Sequence, residues 1–347
     1  MATYRVDEGT LVALLGERDG VFIFAPSPTE RLPWMGVADA EASLAALRQP
    51  RSAQSAKGLF FPAAESVGRY GSAAPPAAQD AEPRRVVAGV RACELRAQTY
   101  LDKVLLEGEF EDPAYRRRRE ATVVIACDCV DCAESCACTL TGGRPFAADG
   151  FDLNVSPLDD GFLVEVGTPK GEAWLTESVG SDLPDATPGQ VGQRDAARER
   201  ITQRVREQNA RFTFAASDES QPALPNDADD GWRRFSGDCV ECGACTHICP
   251  TCHCFYLYDQ ALGPEEFERL RTWDSCLLSS YHRMAGGPQM KLSPRPGLSS
   301  RLANRVLHKF TYSPQQYGLL GCVGCGRCID ACPGAIDIRE VVQELGE

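Results

Sequence analysis

Two stretches of this chain repeat one arrangement of cysteine. Cys239, Cys242, Cys245 and Cys249 are separated by two, two and three residues and precede Pro250; Cys322, Cys325, Cys328 and Cys332 repeat that spacing before Pro333. Both copies place a glycine two residues ahead of the third cysteine, Gly243 and Gly326. Thiolate is a soft ligand, and a triple run closed by Cys-Pro is the spacing that holds [4Fe–4S] cubanes. In two-cluster proteins the fourth cysteine of each run reaches the other cluster. The expected ligand sets are therefore crossed: Cys239, Cys242 and Cys245 with Cys332, and Cys322, Cys325 and Cys328 with Cys249. Structural zinc would use paired C-x2-C knuckles instead.

A second group lies in the N-terminal half: Cys93, Cys127, Cys129, Cys132, Cys136 and Cys138. Cys93 follows one strand-like run and the others follow a second. Parallel strands open their C-terminal ends at one sheet edge, where α/β sites are built. Cys93, Cys129, Cys136 and Cys138 are thus candidates for a third cluster; the alternative is buried or reactive thiols. A third group is Cys252, Cys254 and Cys276. With Asp274, His253 or another thiolate they form a further centre, or they are reduced thiols packed in a wall; both readings stay open. The four histidines show no zinc spacing, and His247, inside the first run, is expected to tune a cluster by hydrogen bonding.

Composition narrows the field. The chain has 347 residues, 43% hydrophobic and 24% charged, with net charge −13 and seventeen cysteines. That length suggests two or three domains, and that apolar content a folded protein. The acidic balance argues against nucleic acid as a partner. No apolar run is long enough to span a bilayer, and no secretory signal stands at the N-terminus, so no membrane partner and a cytoplasmic location are expected. A reducing compartment leaves the cysteines as thiols for metal. No G-x-G-x-x-G follows a strand, so no dinucleotide fingerprint is present. No catalytic residue for bond chemistry stands out, and whether the chain is a catalyst by itself is left open.

The elements that must position the thiols read as follows. Val21–Phe24, Arg85–Val90 and Thr122–Ile125 are buried-strand candidates, and 160–167 alternates like a half-buried strand. A helical pattern over 94–106 makes a parallel βαβ unit with its flanking strands. Residues 190–211 read as an exposed, Arg-rich helix, Arg116–Arg119 as a solvated face or turn, and 71–83 and 216–231 as loop or linker by composition. Helices are expected at 264–271, 299–309 and 338–345. The fold class is α+β and multidomain: a mixed α/β domain at 1–185 with the third iron–sulfur site, a helical connector and linker at 186–231, and a mostly helical, ferredoxin-like dicluster domain at 232–347.

Several longer strings carry a family resemblance: Lys57–Pro62 (KGLFFP), GVRACEL at 89–95 with Leu101-Asp102-Lys103, DPAYRRRRE at 112–120, Cys129, the pair Cys136 and Cys138, and ADGFDL at 148–153. CVECGACTHICPTCHC at 239–254, RTWDSC at 271–276, MAGGPQ at 284–289 and CVGCGRCIDACP at 322–333 complete the set. The chain resembles the β subunit of cytoplasmic sulfhydrogenases, which is similar to the electron-transfer subunit of anaerobic sulfite reductase. The resemblance implies an electron relay between a catalytic partner and a flavin- and NAD(P)-binding subunit. The catalytic partner is the small and large subunits of a NiFe hydrogenase, or a sirohaem sulfite reductase subunit. It implies ligand roles for Cys93, Cys129, Cys136 and Cys138, and draws attention to Cys252, Cys254 and Cys276. Cys127 and Cys132 look like additions, and Glu94 stands where an Asp is usual.

The function expected is therefore an iron–sulfur electron-transfer subunit with two [4Fe–4S] clusters and a third in the N-terminal half. The rivals are a self-contained reductase whose N-terminal cluster has an iron open to substrate, and a zinc-stabilised interaction module.

Overall fold

The computed structural model describes residues 2–16, 21–25, 35–36, 44–45, 47–72, 82–281, 283 and 293–346. Most of the loop expected at 71–83, His282 and the string at 284–289 lie outside the described residues. In chain order the strands are β1 (Thr3–Val6), β2 (Val21–Ala25), β3 (Met35–Gly36), β4 (Ala64–Tyr70), β5 (Arg84–Val90), β6 (Thr122–Cys127), β7 (Leu153–Leu158), β8 (Gly161–Val166), β9 (Phe255–Gly263) and β10 (Glu266–Trp273).

Apolar runs buried on both faces belong at the centre of a parallel sheet. Val86–Ala88 and Val90 of β5, and Val123–Ala126 of β6, are almost inaccessible, and the two strands pair in parallel across the helix Ala92–Leu106. This is the expected βαβ unit. β2 and β7 extend it in parallel, while β8, β1 and β3 add antiparallel edges, giving the order β1-β8-β7-β6-β5-β2-β3.

The Arg-rich helix spans Pro188–Gln208 and opens with a capping box of Thr187 and Gln190, which satisfies two free N–H groups at its start. It is less exposed than its composition suggests. Arg198 pairs with Asp128 at 2.7 Å and Glu165 at 2.5 Å, and Arg194 with Glu165 at 2.7 Å. Asn154 donates to both carboxylates. This buried set clamps the helix on β7 and β8 beside the loop that carries Cys129–Cys138.

A second sheet, in the order β4-β10-β9, is antiparallel throughout. It corrects the helix expected over 264–271, which is the turn into β10 and most of β10 itself. Glu, Arg and Leu favour helix in isolation, but pairing on both sides of β10 overrides that preference. The 232–347 segment is accordingly less helical than expected, and β4 comes from the other half of the chain. The junction is ionic: Arg271 pairs with Glu65 and Asp112, and Arg118 with Glu65 at 2.5 Å. Three of the four consecutive arginines on the helix Pro113–Ala121 make ion pairs: Arg118 at this junction, Arg119 with Asp102, and the more exposed Arg116 with Glu111 and Glu120.

The remaining helices fall where expected, at Leu298–Leu307 and Ile338–Leu345, and pack around Trp232, Phe310 and Leu320. A π-helical turn, His308–Tyr312, continues the first of them. No helix among the described residues is long and apolar enough to cross a membrane.

Replacing Arg198 by Met leaves Asp128 and Glu165 short of a buried counter-charge. The expected cost is about 3 kcal/mol, read as a lower midpoint of urea unfolding of the full chain than in Arg204→Met, whose pair with Asp131 is exposed.

Candidate metal centres

Backbone geometry brings the cysteines together. In the two C-terminal runs Gly243 and Gly326 adopt φ of +70° and +73°, as does Gly324 at +64°, a region open to glycine at little cost. The surroundings differ. A Cβ on Gly326 would stand 2.2 Å from Ser135 O, and one on Gly324 2.4 Å from Ala137 O, whereas one on Gly243 would meet nothing nearer than His247 at 3.4 Å. The second run is pressed against the Cys129–Cys138 loop, and Ala137 N–H donates to Gly324 O at 2.8 Å.

Three cavities result. Cys239, Cys242, Cys245 and Cys332 line the first. Cys322, Cys325, Cys328 and Cys249 line the second. Each run gives three thiols to one cavity and its last thiol to the other, and Cys328 of the second run lines both. The third lies at the C-terminal ends of β5 and β6 and is lined by Cys93, Cys129, Cys136, Cys138 and also Cys132. Cys132 is not among the expected ligands; it donates to Gln208 Oε1 at 3.3 Å. Cys127 turns away into the sheet core, its Sγ against Leu47 O and Asp128 O.

The cavities stand in a row. Cys328 belongs to the walls of the first and second, and Gly324 and Cys325 to those of the second and third. The Cys322 cavity is therefore central. Among the described residues no three His, Cys, Asp or Glu side chains converge as they would on one metal ion; the thiols ring spaces, as a cubane core requires.

Cys252, Cys254 and Cys276 line none of these three cavities. Cys252 lies against Cys249, and Cys254 against Cys276. Lys57 of the KGLFFP string joins this group to its surroundings, its Nζ bonding His247 O and Cys252 O and lying 3.9 Å from the Trp273 ring centroid. His247 stacks on Trp273 and does not line the first cavity.

Burial dominates the electrostatics. It pushes the thiols of Cys93, Cys129, Cys245 and Cys322 up, and those of Cys138 and Cys328 up to about 12. Metal must displace these protons to bind. Cys249 goes the other way, drawn well down by a hydrogen bond with Cys252 and by the nearby Lys309 ammonium. Burial lowers His253 and His308 to about 4, so both are neutral at pH 7.

Buried cations surround the thiols. Arg327, fully buried, pairs with Glu94 at 3.1 Å, and Glu94 accepts from Ala56 N–H at 2.8 Å. The residue standing in place of Asp thus ties the second run to the N-terminal half. Arg91 is buried and donates to four carbonyl oxygens, and Arg305 is buried and donates to the Cys245 carbonyl at 3.5 Å. Isolated cations are costly in a protein interior, and anionic iron–thiolate groups in the cavities would neutralise them. The donor set and the charge environment both fit [4Fe–4S] clusters.

Gly326→Ala should force the second run off the Cys129–Cys138 loop. Iron content after anaerobic reconstitution is expected to fall by more than in Gly243→Ala, which carries the same backbone strain but meets nothing nearer than 3.4 Å; equal losses would show that the contact is immaterial.

Residues 238–336 match the 4Fe-4S dicluster domain model, and no solved structure matches. Over 271 residues, 77% of this chain and 76% of the relative, the chain is 32% identical to the sulfhydrogenase 2 subunit beta of Pyrococcus furiosus. Similarity of that degree over three quarters of both chains shows the family: the chain belongs to the sulfhydrogenase β-subunit family as an iron–sulfur electron-transfer subunit.

Proposed function

We propose that the chain is the electron relay of a cytoplasmic NiFe sulfhydrogenase, carrying single electrons between the hydrogenase subunits and a flavin- and NAD(P)-binding subunit. The observation that carries this reading is the row of three thiol-lined cavities with shared walls. Cys239, Cys242, Cys245 and Cys332 would hold one [4Fe–4S] cluster, Cys322, Cys325, Cys328 and Cys249 the second, and Cys93, Cys129, Cys136 and Cys138 a third. When bound, such clusters exchange one electron at a time at potentials set by charge, burial and hydrogen bonds to sulfur.

The chain's own residues supply the rest. Gly324 and Gly326 let the second and third cavities touch, and Cys328 bridges the first and second. Apolar walls such as Leu140, Phe214 and Phe310 screen the central space from water. Besides Cys325 of the second run, five thiols line the third cavity, one more than a cubane takes, which favours a fully ligated cluster and hence relay over a substrate-binding iron. A pyridine nucleotide gives two electrons as hydride, so a flavin must stand between it and one-electron centres. With no dinucleotide fingerprint in this chain, that flavin belongs to a partner. A sulfite reductase assembly is the runner-up, and sirohaem rather than nickel in the co-purified complex would select it.

Anaerobically loaded full-length chain should carry about twelve irons, four for each of three cubanes, and should be reduced by dithionite but not by NADH or NADPH until a flavoprotein partner is added. Direct bleaching by NADPH would overturn the relay reading. Cys332→Ala should remove the paramagnetic signal of the Cys239 group and spare that of the Cys322 group; the reverse pattern would refute the crossed scheme.

A further inference from the structure

The central cavity holds a residue that thiol ligation does not require. Lys309 is 4% exposed. Its Nζ lies 3.2 Å from Cys249 Sγ, 3.0 Å from Thr251 Oγ1 and 3.0 Å from Gly321 O. Three contacts use all three ammonium protons, and none is to a carboxylate. Two features of the backbone place it there. Lys309 sits in the π-helical turn His308–Tyr312, the kind of local widening that re-aims side chains at functional sites. Gly321 admits the close approach: a Cβ there would stand 2.9 Å from Lys309 Cα and 2.8 Å from Ser313 Oγ. A buried ammonium without a carboxylate needs another negative partner, and Cys249 Sγ is the one it touches.

We propose that Lys309 sets the reduction potential of the cluster in the central cavity, through its charge and its N–H···S bond to Cys249. The proposal rests on the reading above that this cavity holds a [4Fe–4S] cluster. A core of charge 2+ with four thiolates carries 2−, and one added electron makes it 3−; no bond breaks and no proton moves. A fixed positive charge stabilises the more negative state more, so it raises the potential. Arg305 cannot play this part selectively, because it lines the first cavity and its charge acts on Cys245 as well as on Cys328 and Cys249. Lys309 lines the central cavity alone of the three.

The test is a paramagnetic-resonance redox titration of full-length, anaerobically loaded chain, with dithionite as reductant and the central signal identified as the one lost in Cys322→Ser. In Lys309→Met, iron and sulfide content should be unchanged and reduction of the central cluster at least tenfold less favourable, a midpoint lower by about 59 mV for one electron. The other two midpoints should move less, and Lys309→Arg should recover most of the shift. An unmoved central midpoint with intact iron, or three equal shifts, would overturn the proposal. If Lys309→Met fails to load iron, Lys309→Gln, which keeps donors for Thr251 and Gly321 without the charge, becomes the deciding variant, with the same lowering expected and an unchanged midpoint fatal. Wild-type chain that binds no iron and sulfide would instead refute the underlying relay reading.

Discussion

Negative charge can be buried only beside positive charge fixed in place, and the interior of this protein is organised around that constraint. Arg91, Arg305, Lys309 and Arg327 are all inside, and Lys57 with them. Each is held by carbonyls, sulfur or a single carboxylate rather than by solvent. Metal-free, such an interior is electrostatically poor: thiols pushed toward protonation by burial face cations with few counter-ions. Clusters bearing net negative charge would complete it. The same groups that make the apo chain costly would then favour the loaded one, coupling folding to metal.

The two halves of the chain are joined at the points where this charge balance is struck. Glu94 and Arg327 connect the helix after β5 to the second cysteine run, and Arg51 reaches from the N-terminal half to the Cys325 carbonyl, Ser135 and Asp330. The small sheet repeats the pattern at a distance from the cavities, where Arg271, Glu65 and Asp112 lock β4 to β10 and to the helix Pro113–Ala121. A linker by composition thus separates two halves that share a sheet and a row of sites.

Much of the site was legible in the sequence because metal ligation constrains spacing. The matched spacings led to the expectation that each run shares its last thiol with the other's space, and the meeting of Cys93 with Cys129, Cys136 and Cys138 in one cavity follows from where parallel strands end. Other parts were not legible for physical reasons. Cys127 and Cys132 differ in which way the chain faces after β6, a matter of one turn that composition does not record. Arg118, Arg198, Arg305 and Lys309 look like surface residues until the carboxylates and thiols that neutralise them are brought up from distant segments. β10 is rich in helix formers, and only its two strand partners, one of them β4 from the far side of the linker, hold it extended.

The interleaving of the cysteine runs also bears on the order in which the protein can be made. During synthesis the residues around the first cavity begin to appear at Cys239, yet its wall stays open until Cys332. The central wall waits for Cys328 and then for Ile338 and Arg339, and even the N-terminal cavity borrows Gly324 and Cys325. No site is closed on a nascent chain that still lacks the second run. The two centres proposed for the C-terminal runs would each lack a thiol until that run leaves the ribosome, whereas the four thiols proposed for the third are made early and lack only the wall that Gly324 and Cys325 supply.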